Sequence, residues 1–114
     1  MIVRLTSFNI IPNKVEELTQ LYNQEIVPFV KKQKGNLDCR LLEPMNKADD
    51  YISMTVWEDK NAADAYHSGG AYRQQVEKVK QFFTNNAVLK TYKAEDVMEH
   101  AWSVDLVHYF ITAF

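Results

Sequence analysis

Cysteine is almost missing from these 114 residues: Cys39 stands alone, so the chain can form no disulfide within itself. That excludes the disulfide-stapled scaffolds of small secreted domains. Residues 1–5 carry no basic stretch followed by an apolar run, so no secretory leader is expected. Both observations point to a reducing, cytoplasmic setting. No apolar run approaches the ~18 residues that span a bilayer, so no membrane role is expected. Glycine and proline number three each, leaving no linker, repeat or low-complexity segment. A phosphate-binding glycine loop, a dinucleotide fingerprint and a serine nucleophile elbow are all absent. Excess positive charge is lacking too, with 13 Lys and Arg against 15 Asp and Glu. Nucleic acid would require a clustered basic face, so it is not an expected partner.

What remains is the composition of one globular domain, 46% hydrophobic and 25% charged. Residues 2–11 are rich in β-branched and aromatic side chains and predict a first strand. Asn13 and Glu16 have the spacing of a capping box, which predicts a helix start. Val15, Leu18, Leu21, Tyr22, Ile26, Phe29 and Val30 then fall on one helical face. Pro28 should kink the last turns, and Gly35 can end the helix in the left-handed conformation. Leu37, Cys39 and Leu41 alternate with charged residues, and Ile52, Met54 and Val56 alternate with Ser53 and Thr55, giving two more strands. Asp59 can cap a short helix that Gly69 and Gly70 interrupt. Tyr72, Val76, Val79 and Phe83 mark a second helical stretch, and residues 88–94 a fourth strand. The order is βαββαβ: an α+β, ferredoxin-like domain with a four-stranded antiparallel sheet and helices on one face.

Both phases of the strands carry apolar side chains, although a single helical layer covers only one. The first strand offers Val3, Leu5 and Ile11 on one side and Ile2, Phe8 and Ile10 on the other. An apolar face left in water exceeds what soluble monomers usually tolerate, so a second copy of the chain is the simplest cover. The aromatic stretch 97–114 competes for that place and is expected to dock on its own or the partner subunit.

The run YISMTVWEDKNAADAYHSGGAY, residues 51–72, resembles the antibiotic biosynthesis monooxygenase family. A strand ends in Trp and an acidic turn, an Ala-rich short helix follows, then a break and a helix opening near an aromatic. The Pro12-Asn13-Lys14 entry and the layout of residues 1–96 agree, leaving 97–114 as an extension. The resemblance implies a homodimeric α+β barrel. It also implies oxygenation of small aromatic, quinol-like or polyketide-like substrates with no metal, flavin or other cofactor. Some members degrade haem with an Asn on strand one, a Trp on the short helix and a His on the second. Thr6, Tyr66 and Val76 stand at those places here, which disfavours haem. Quinol-oxygenase-like members carry His where this chain has Tyr66, with His67 displaced by one position.

The expected catalytic residues are His67, a base whose ordinary pKa is near 6.5, and Tyr66, a phenol able to donate to a substrate oxygen. Asn9, Trp57 and Tyr72 are the expected substrate contacts; Asn9 could instead satisfy a backbone group near the strand end, Trp57 suits the core or an interface better than a ligand, and Tyr72 could equally be a core anchor. Cys39 reads as a packing thiol. His100 and His108 lie near Glu99 and Asp105, but their spacing matches no standard ligand motif, so no metal is expected. An oxygen-independent isomerase or lyase, or a non-enzymatic dimer binding a small apolar ligand, would use the same scaffold.

Overall fold

Strict alternation in β1 (Ile2–Phe8) sends Ile2, Arg4, Thr6 and Phe8 to one side and Val3, Leu5 and Ser7 to the other. The computed structural model describes residues 1–95. In it β1 pairs antiparallel with β3 (Tyr51–Trp57) and with β4 (Val88–Lys93), while β2 (Asn36–Leu42) pairs with β3. The sheet order is β2-β3-β1-β4. The first helical rod runs α1 (Val15–Leu21), a π turn (Tyr22–Ile26) and α2 (Val27–Lys31). The second crossover holds α3 (Lys60–Ser68) and α4 (Gly70–Val79). Helices pack on one face, so the ferredoxin-like βαββαβ reading stands. The extension from residue 97, with His100 and His108, lies outside the described residues.

Cross-strand partners share a face, and this decides what lies under the helices. Ile2, Arg4, Thr6 and Phe8 stand opposite Trp57, Thr55, Ser53 and Tyr51. That set meets the helices: its ends are apolar and its middle is polar. Val3 and Leu5 stand opposite Val56 and Met54 and turn away, half-buried, with Leu42, Val88 and Tyr92 exposed on the same side. Both phases are apolar as expected, but the more uniformly apolar one faces away from the helices.

The core accordingly forms two clusters. Tyr22, Ile26, Val30, Cys39, Trp57 and Ala63 make one, and Phe8, Ile10, Leu18 and Phe82 the other. Cys39 is 1% exposed, a packed thiol.

Local details depart from expectation in three places. β1 stops at Phe8 because the Asn9 amide donates to Asn85 Oδ1 at 2.8 Å and its carbonyl accepts from the Thr84 amide at 3.0 Å. Asn13 caps nothing: Pro12–Lys14 forms a 3-10 turn closed by Lys14 N–H to the Ile11 carbonyl, and α1 starts without a side-chain cap. Pro28 is absorbed by the π turn before it, where the Val27 amide reaches back to the Tyr22 carbonyl. A proline has no amide to offer the carbonyl four residues earlier, and the wider turn relieves the crowding of its ring. Other expectations hold. Gly35 has φ of 81° at the helix end, and Asp59 caps α3 by accepting from the Ala62 amide at 2.8 Å.

Candidate active site

α3 carries Tyr66 toward the sheet and leaves His67 at its more exposed edge, and its direction is set from the strand beneath. Arg4 Nη1 donates to the Ala63 carbonyl and Nη2 to Asp64, each at 2.7 Å. Gly69 is extended, with φ −83° and ψ 159°, so the chain turns between α3 and α4 without the penalty that a helical continuation would carry. The turn folds Tyr72 back over the end of α3. Its ring stands 4.4 Å from His67 and edge-on to Tyr66 at 5.6 Å. Trp57 stacks behind Tyr66 at 5.1 Å.

The rings of Tyr66, His67 and Tyr72 help wall a cavity of about 130 Å³ between helices and sheet. Arg4, Thr6, Ser53 and Thr55 form its floor, and Leu18, Tyr22, Ile26 and Val30 of the first rod close one side. Gln75, Val76 and Val79 of α4 close another. Leu89, 39% exposed on the edge strand β4, lines it as well.

Burial dominates the electrostatics. It pushes the Tyr66 and Tyr72 hydroxyls up, with Cys39 and Tyr72 adding to the rise at Tyr66 and Arg4 opposing it at Tyr72. Both phenols are therefore protonated donors at neutral pH. His67 is held below its ordinary value, first by burial and then by Arg4, against an opposing pull from Asp64. A neutral imidazole can accept a proton, so the cavity rim holds a base beside two donors. The Tyr22 hydroxyl, also pushed up by burial, bonds to Ser53 and lies 3.5 Å from Cys39 Sγ.

Three of the five expected residues meet here: Tyr66, His67 and Tyr72. Trp57 does not line the cavity. It is 0% exposed and its Nε1 donates to Thr55 Oγ1 at 2.9 Å, so it is a core residue that backs Tyr66. Asn9 does not line it either, because the strand ends one residue earlier and leaves its side chain exposed. Thr6 and Val76, the positions picked out by the haem comparison, do lie on the wall. The sequence alone does not single out Arg4, Ser53, Thr55 or Gln75. The three on strands share a phase that runs aromatic or apolar at its ends and polar in its middle, a pattern that gains meaning only once the register shows which side the helices cover. Among the described residues no group of three or more His, Cys, Asp or Glu converges as a metal site would.

A family model for antibiotic biosynthesis monooxygenase matches residues 1–78. No curated protein sequence matches the chain. Solved structures that share the fold include a candidate antibiotic biosynthesis monooxygenase from Deinococcus radiodurans, with a TM-score of 0.72 at 14% identity over 85% of this chain and 95% of that one. A conserved protein from Methanosarcina mazei gives 0.70 at 14%, over 83% and 94%. A haem degrader from Mycobacterium tuberculosis, with two haems bound in its active site, gives 0.70 at 21%, over 85% and 99%.

Proposed function

The chain belongs to the antibiotic biosynthesis monooxygenase family, and from that premise we propose a cofactor-independent monooxygenase of small aromatic, quinol-like substrates. One observation carries the reading: a neutral His67 packed on Tyr72 at the rim of a ring-walled cavity. His67 takes a phenolic proton, and the resulting electron-rich anion reacts with molecular oxygen. One oxygen atom enters the ring and the other leaves as water. A quinol becomes a hydroxyquinone, so the substrate itself supplies all four electrons. Protonated Tyr66 and Tyr72 donate to the oxygens on which charge gathers. The apolar walls exclude competing water.

Haem fits poorly. The wall position that the haem-degrading pattern fills with an iron ligand is Val76, which has no ligating atom. The polar floor likewise argues against a carrier of purely apolar ligands.

The test is oxygen uptake with a panel of quinols and naphthols. Uptake above buffer is expected, falling about 100-fold or more in His67→Ala and about 10-fold in Tyr66→Phe, within the range of general acid–base contributions. No uptake by the wild-type chain would overturn the proposal.

The outward sheet face supports a homodimer in the same reading. Val3, Leu5, Met54 and Val56 stand there half-buried, with no helix over them among the described residues, beside exposed Leu42, Val88 and Tyr92. A second copy presenting the same face would bury both.

A further inference from the structure

Two cavity-wall groups have no part in the chemistry above. Gln75 on α4 is 5% exposed, and its Oε1 is buried with no hydrogen-bond partner among the described residues. Arg4 Nε is buried and unpartnered in the same sense, although both Nη groups are engaged. Each such group carries an uncompensated desolvation penalty, and native proteins keep few of them. Two on the wall of one cavity mark where a ligand completes the bonding.

Charge and size say which ligand. Among the described residues that line the cavity, Arg4 is the only cation apart from titratable His67, and none is a carboxylate. Asp64 pairs with Arg4 but keeps its side chain 43% exposed, so it offsets the guanidinium from the solvent side. Tyr66 and Tyr72, held protonated, add O–H donors without adding a negative charge. The interior therefore favours an oxygen bearing negative charge. A volume of about 130 Å³ is close to the roughly 150 Å³ engineered cavity that holds benzene, so it accommodates one ring.

We infer that the cavity takes a one-ring quinol carrying an anionic oxygen, with Arg4 facing the anion and the Gln75 amide bonded to a ring hydroxyl. Rotation about the last torsion of Gln75 can bring either end of its amide to that hydroxyl, which both donates and accepts. The quinol ring rests on the oxygenase reading; the two-point anchor stands on the wall itself.

Calorimetric titration of the full chain under nitrogen with 2,5-dihydroxybenzoate, its methyl ester and hydroquinone tests this. The carboxylate should bind at least about 10-fold more tightly than the other two, the effect of one charge-assisted hydrogen bond. Gln75→Leu should weaken all three while keeping the preference for the carboxylate. Arg4→Met should abolish that preference, and Arg4→Lys, which restores a cation and spares α3 its loss, should recover part of it. Equal affinity for acid and ester in the wild-type chain, or unchanged binding in Gln75→Leu, would overturn the anchor. The two readings fail separately. Carboxylate-selective binding without oxygen uptake upholds the anchor and overturns the oxygenase, whereas equal uptake with hydroquinone and the acid does the reverse.

Discussion

His67 lies between opposed charges, Arg4 reaching up from β1 and Asp64 three residues earlier on its own helix, with the Tyr72 ring against it from α4. Burial and Arg4 hold its pKa down, so the neutral base persists as pH falls until that lowered value is crossed. Activity should therefore be full at neutral pH, with an acid limb lying below the ordinary 6.5. Stability linked to this group has the same sign, present above the ordinary value and lost as pH falls. Arg4→Met should move the limb upward and Asp64→Asn downward, read from kcat/KM against pH or by NMR titration of the ring. Shifts in the same direction would contradict the assignment. The sequence revealed His67, Tyr66 and Tyr72 because a short helix, a glycine break and an aromatic helix start fix their neighbourhood. It hid Arg4 because one arginine in an alternating strand looks like a solvent-facing residue. Only the register against β3 shows that its phase is the covered one.

Gly35 shows how a single position couples two elements. With φ of 81°, it ends the first rod in a conformation that side chains rarely adopt, and a Cβ there would collide with the Ala62 Cβ of α3. Gly35→Ala should cost about 2 kcal/mol or more in chemical denaturation. Adding Ala62→Gly should return only part, since it removes the collision but not the backbone strain. The glycine stop was legible because it follows a lysine cluster at the end of a periodic run. The π turn was not, since three- and four-residue steps place Tyr22, Ile26 and Val30 on one face whether or not a turn widens. The missing Asn13 cap has a similar cause. Pro12 favours a 3-10 turn, and a capping box requires its first residue at the boundary rather than inside that turn.

At the scale of the whole molecule, the βαββαβ order could be read from periodicity, and so could the doubled apolar faces. Which face the helices cover could not, because alternation assigns sides without saying what lies above each. The uncovered face gives a direct test. Leu5 stands opposite Met54 in its middle, and Leu5→Glu should leave a folded monomer by sedimentation and circular dichroism where the wild-type chain sediments as a dimer. An unchanged dimer would place the contact elsewhere. The covered face has a different consequence, a historical one. A cavity of about 130 Å³ forgoes packing that a filled interior would have, at most roughly 3 kcal/mol were it closed, in a class whose total stability is about 5–15 kcal/mol. On the proposed function, selection for the ligand is what keeps such a hole open. In a lineage that abandons its substrate, nothing holds Thr6 small and polar, and Thr6→Leu becomes an improvement. On the proposed function, relatives that keep a small polar residue at this place should bind ligand in the cavity, and relatives that fill it should keep the fold without the activity.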